Sequence, residues 1–172
     1  MTWIEVVDSA VKIGLGALIA GVIAFLLSST QHRNELKKAK VEREFEMLKE
    51  VAEKVESFNH TALRYWAFAT DWRRKLLLDS STPKSNHLLD ADHKLFNSFS
   101  ELTNAESLLL LFGYEDAQIA LRDYGESVSA FRKKVSSINV SCNDDEAAEY
   151  RESIINKRNN LFRLLNEIYK TI

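Results

Sequence analysis

The pattern of apolar and polar positions changes character near residue 30. From Ile13 to Thr30 run 18 residues without a charge, IGLGALIAGVIAFLLSST. As a helix rising about 1.5 Å per residue they cover roughly 27 Å, close to the hydrocarbon thickness of a bilayer. Ile4, Val6, Val7, Ala10 and Val11 extend the apolar surface toward the N-terminus, interrupted by Asp8 and Lys12. Those two stand four apart, an acid-before-base spacing that pairs on a helix, and a lysine near a helix end snorkels to the headgroups. Trp3 falls where tryptophan is favoured, at the membrane interface. Residues 4–30 therefore predict a single transmembrane helix. The residues ahead of it, MTWIEVVDSAVK, carry Glu5 and Asp8 instead of a basic leader, and Leu26-Leu27-Ser28-Ser29 is a poor cleavage site. A retained anchor is expected rather than a cleaved signal.

After residue 30 the period is that of amphipathic helices. Residues 31–78 contain neither Gly nor Pro. Val41, Phe45, Leu48, Ala52, Val55, Ala62, Trp66, Ala69 and Leu76 follow a seven-residue repeat, with Asn59 and Arg73 as polar exceptions. This predicts one long helix, a stalk at first and a bundle helix later, where Phe58, Tyr65, Trp66, Phe68 and Trp72 crowd together. Asp79–His87 reads as a loop, with Ser85 or Asn86 able to cap the next helix. That helix is expected over Leu88–Leu111, burying Leu88, Ala91, Leu95, Phe99, Leu102, Ala105 and Leu109, and ending at Phe112-Gly113. A third helix starts near Tyr114 and uses Leu121, Tyr124, Val128, Phe131, Val135 and Ile138. A last one, about 145–170, uses Tyr150, Ile154, Leu161, Leu164, Leu165 and Ile168, behind a cap at Asn143 or Asp144. The fold class is all-α: a transmembrane segment over 1–30, a juxtamembrane stalk over 31–50, and a cytoplasmic four-helix bundle over 51–172 with short connections.

Charge gives the span a direction. Only Lys12 precedes it closely, whereas Arg33, Lys37, Lys38, Lys40 and Arg43 follow it. The positive-inside rule puts the N-terminus outside and the bundle in the cytoplasm. Arg33, Lys37, Lys38 and Lys40 are also placed to meet anionic lipid headgroups, at about 1 kcal/mol per basic residue. Within the span, Ala10, Gly14, Ala17, Gly21, Ala24 and Ser28 recur at spacings of four, three, four, three and four. Small residues at those spacings let helix backbones approach closely, so self-association through this stripe is expected. A water-filled pore has little to line it: only Ser9, Lys12, Ser28 and Ser29 are expected to face water there.

Composition narrows the function. The net charge of −2 argues against a nucleic-acid-coating protein. Cys142 is the only cysteine, so no internal disulfide forms, and the neighbouring Asn143, Asp144, Asp145 and Glu146 do not activate a thiol. His87, Asp90 and His93 stand at three-residue steps, the one cluster with metal-ligand character, but no fourth ligand accompanies them and a solvated helix start explains them better. Phosphate loops, nucleophile elbows and zincin motifs are absent from the sequence. Small ribonucleases built as four-helix bundles carry Arg, four to six residues, then His, and no pair here has that spacing. The chain reads as a non-enzyme, and no cofactor is implied.

The order of parts, a glycine-bearing span, the basic run QHRNELKKAKVER and a charged helix leading into a small bundle, resembles small bacterial single-pass inner-membrane proteins. In plan it is similar to the transmembrane accessory protein of RNA-targeting type VI-B CRISPR systems and to other membrane effectors of anti-phage defence. That resemblance implies oligomers that perturb the membrane. The expected partners are membrane lipid and further copies of the chain. The rival expectation is a tethered adaptor that recruits a cytoplasmic protein, through exposed aromatics among Trp66, Trp72, Phe96 and Tyr114.

Overall fold

A computed structural model describes the backbone of residues 3–136 and 142–172, and the side chains of these residues except 3–23, Leu26, Ser29 and Thr30. The described residues form four helices and no strand: α1 (Trp3–Leu78), α2 (Asn86–Leu111), α3 (Glu115–Ser136) and α4 (Asp144–Thr171). The chain divides into two compact units, residues 1–43 and 44–172. The expected span at residues 4–30 lies for the most part outside the described side chains. Among the described residues no helix is long and apolar enough to cross a membrane.

The second unit is the helical bundle. Its helix ends follow from local chemistry. The Ser85 hydroxyl caps α2 by accepting from the Leu88 N–H at 3.2 Å. At the other end Gly113 takes φ of +80°, a left-handed conformation that side chains resist, and its N–H donates to the Leu110 carbonyl. Glu115 and Asp116 open α3 where the helix dipole favours negative charge. A reciprocal box caps α4. The Asn143 side chain accepts from the Glu146 N–H at 2.8 Å, while the Glu146 carboxylate accepts from the Asn143 N–H at 3.2 Å.

Chain order sets the packing. α3 packs on both α2 and α4, while α2 and α4 do not pack on each other. α1 closes the square. Phe58 meets the Phe99 ring edge-on at 5.0 Å, Tyr65 meets Phe131 at 6.1 Å, and the Trp66 indole N–H donates to the Ala147 carbonyl at 2.7 Å. The α2 and α3 faces bury the expected side chains, with Phe99 only partly covered and Ile138 outside the described residues. On α4, Ile154, Leu161 and Leu165 are buried, Tyr150, Leu164 and Ile168 are half-buried, and Ala147 joins the core.

The buried seam of α1 differs from the expected one. It runs through Leu48, Val51, Val55, Phe58, Ala62, Tyr65, Ala69 and Trp72, while Val41 and Phe45 are exposed. The two seams share Leu48, Val55, Ala62 and Ala69 and differ by one residue at the steps between them. The polar exceptions mark the difference: Phe58 stands inward where Asn59 was placed, and Asn59 serves at the edge as acceptor for the Tyr124 hydroxyl at 3.1 Å. Burying whole aromatic rings outweighs strict repeat geometry, since each ring removes far more apolar area than an alanine. Arg73 is buried beside Trp72, with its guanidinium carbon 5.8 Å from the ring centroid.

Gly125 is buried where α3 crosses α2. A Cβ there would stand 3.1 Å from Leu102 Cδ1, so the absent side chain permits the close approach.

Candidate assembly surface

The sequence places two sets of residues at the functional centre. Of the small-residue stripe, Ala24 and Ser28 are described, and both are exposed, as are Phe25 and Leu27 beside them. Ala10, Gly14, Ala17 and Gly21 lie outside the described side chains. Of the basic flank, Arg33, Lys37, Lys38 and Lys40 are all exposed, with Leu36 among them.

Within the bundle the chemistry-bearing residues are tied to neighbours. His87 stacks on Phe68, with ring centroids 5.9 Å apart and planes 18° off parallel. Asp90 pairs with Lys94 at 2.9 Å, which holds its carboxyl below the usual carboxylate range. His93 meets the Asn97 amide at 3.2 Å. Among the described residues no group of three or more His, Cys, Asp or Glu is placed to hold a metal. Cys142 is buried, and loss of solvation pushes its thiol pKa up, with Glu146 adding to the effect. A thiol held protonated is a poor nucleophile.

The bundle surface carries two clefts that the sequence reading missed. One, of about 250 Å³, lies between α2 and α3, with Phe99, Leu102, Leu121 and Gly125 as its apolar floor and the Glu106–Arg122 ion pair on its rim. The other, of about 520 Å³, lies between α1 and α4 and is lined by Trp66, Ala148, Arg151, Glu152 and Ile155. The Arg151 guanidinium carbon stands 5.5 Å from the Trp66 ring centroid. Square packing puts the two clefts on opposite sides of the bundle. Large apolar side chains stand exposed on the same helices. Phe96 is 62% exposed and Leu110 50% on α2, and Ile119 is exposed on α3. Phe45 and Tyr169, with ring centroids 6.0 Å apart, are 43% and 56% exposed on α1 and α4. The signal for α2 was available: Leu89, Phe96 and Leu110 share a seven-residue register off the core face, where polar residues are the rule. Of the aromatics expected at the surface, Phe96 is exposed, Trp66 and Tyr114 are half-buried, and Trp72 is in the core.

No protein-family model, curated protein or solved structure matches the chain.

Proposed function

We propose that this chain is a single-pass membrane protein whose copies assemble through the stripe Ala10, Gly14, Ala17, Gly21, Ala24 and Ser28 and through the bundle. Residues ahead of the span lie outside the cell membrane and the bundle lies in the cytoplasm. One observation carries the reading: α1 runs as a single helix from Trp3 to Leu78. The uncharged stretch, its basic flank and the first bundle helix are thus one element. A helix that is apolar on all sides over 18 residues has no low-energy place in water. The exposed Arg33, Lys37, Lys38 and Lys40 suit an anionic inner leaflet. In this reading the assembly perturbs the membrane in the manner of anti-phage effectors, and any conduction passes a hydrophobic constriction.

Light scattering of the full chain in detergent, with the detergent mass subtracted, tests the assembly. A concentration-independent monomer would rule it out. Replacing Gly14 and Gly21 by isoleucine is expected to shift the distribution toward monomers by about five- to thirtyfold, from about 1–2 kcal/mol lost at the packed stripe. Ion flux from loaded vesicles separates a pore from a scaffold. The exposed Phe96 favours a second reading, a tethered adaptor that holds a cytoplasmic protein by this ring.

A further inference from the structure

We propose that the bundles of neighbouring copies dock head to tail, the α2/α3 side of one against the α1/α4 side of the next. The proposal rests on the assembly reading above and names its cytoplasmic contact. Copies anchored in one membrane share a direction. For bundles docked side by side with parallel axes, unlike faces meet where complementary features stand at the same level along the axis.

The levels follow from the helix pairings. Lys54 and Phe58 of α1 face Glu101 and Phe99 of α2. Phe45, Glu56 and Trp66 of α1 face Tyr169, Arg158 and Ala147 of α4. Counting along these antiparallel pairs, Phe96 stands level with Asn59–Thr61 of α1 and Ile155 with Phe58–Asn59, within about one turn of each other. Leu110 stands level with Phe45–Met47 and Tyr169 with Glu44–Phe45. Phe96 to Leu110 and Ile155 to Tyr169 are each fourteen residues, about 21 Å along a helix, so both levels are met in one docking. The exposed Phe96 ring of one copy therefore meets the Trp66–Ile155 cleft of the next while Leu110 meets Phe45 and Tyr169.

Beside the Phe96 ring, Arg132 is paired with Asp92 at 2.7 Å, and the receiving cleft carries both Arg151 and Glu152, so this level is docked by the ring rather than by net charge. The charges match at the other level. Glu115 opens α3 one turn before Ile119, and Lys170 follows Tyr169. Unlike faces on opposite sides of a subunit generate an open row, which becomes a ring where each docking step adds a rotation that closes. Tethering through the span raises the effective concentration of bundles, so the contact is useful below the area a free dimer needs.

The test is thiol cross-linking in the full chain, in detergent micelles and in vesicles, with Cys142→Ala removing the native thiol. Phe96→Cys and Ile155→Cys are combined in one chain and treated with a short bis-maleimide. A ladder of dimers, trimers and larger species is expected. Each single variant should stay monomeric on a denaturing gel, and a mixture of the two should stop at dimers. Leu110→Cys with Tyr169→Cys is an independent pair at the other level, and circular dichroism checks the fold of every variant. Self-cross-linking of Phe96→Cys alone as efficiently as the pair would mean a two-fold contact and overturn the proposal. Absence of cross-links at both levels, with light scattering still reporting an oligomer, would overturn it and leave assembly through the span standing. A monomer by light scattering would overturn both.

Discussion

Two phenylalanines on the same helix make opposite predictions under the two possible seams of α1. Phe58 is 0% exposed and meets two rings edge-on, Phe99 at 5.0 Å and Tyr124 at 5.6 Å. Truncation to alanine removes the transfer free energy of a fully buried ring, about 1.5–3 kcal/mol, and leaves a cavity enclosed by α2 and α3. Together these bring the cost of Phe58→Ala to about 3–5 kcal/mol. Phe45 keeps 43% of its surface in solvent and has one tilted ring neighbour, Tyr169. Its truncation forfeits just over half of the transfer term, about 1–1.5 kcal/mol, and opens no enclosed space because solvent fills the gap. Urea unfolding of the full chain in mild detergent, followed by circular dichroism, reads the difference. With a slope of roughly 2 kcal/mol per molar urea, Phe58→Ala lowers the midpoint by about 2 M and Phe45→Ala by about 0.5 M. Equal shifts for the two variants, or a larger one for Phe45→Ala, would refute the inward seam at Phe58 and restore the one through Phe45 and Asn59.

The remaining expectations concern pH and caps. Burial pushes the Tyr65 and Tyr124 phenols above their ordinary value of 10.0, so both stay neutral in the fold after the unfolded chain has begun to ionise. Their contribution is complete below pH 10 and is lost as pH rises above it, at about 1.4 kcal/mol per pH unit for each tyrosine. Unfolding free energies between pH 8 and 11 should therefore fall less steeply for Tyr124→Phe than for the parent, and equal slopes would contradict the burial argument. Asn143→Ala breaks the box at the start of α4 and is expected to cost about 1 kcal/mol in the same urea assay. The double variant Asn143→Ala/Glu146→Ala should lose less than the sum of the two singles, because each half of the box depends on the other.

Much of this bundle was legible from residue type and spacing. Ser85, Gly113 and Asn143 punctuate the helices because capping and left-handed geometry are local properties. The faces of α2 and α3 could be counted off because each has one apolar stripe. α1 was harder because two apolar registers, one through Phe58 and Trp72 and one through Val41, Phe45 and Trp66, interleave on the same helix. Choosing between them depends on which rings find partners on α2 and α3, and those contacts are 40 to 70 residues distant in sequence: Phe58 with Phe99 and Tyr124, Tyr65 with Phe131. The clefts were illegible for a related reason. Each is bounded by two helices, and the floor of the first depends on a missing side chain at Gly125 meeting Leu102 across the helix pair. A periodic pattern reports which side of a helix is wet, but not where two wet sides leave a hollow between them.

The hydrogen bond from the Trp66 indole to the Ala147 carbonyl has an optical meaning. It fixes a half-buried indole at the wall of the α1/α4 cleft, where its emission senses whatever fills that space. Trp72 is buried and its indole N–H donates to the Thr82 carbonyl at 3.2 Å, so its colour is set by the fold alone. The chain thus carries an intrinsic fluorophore at the surface proposed to receive a neighbour, beside a second that stays dark to that event, and docking can be followed by a blue shift without any attached dye.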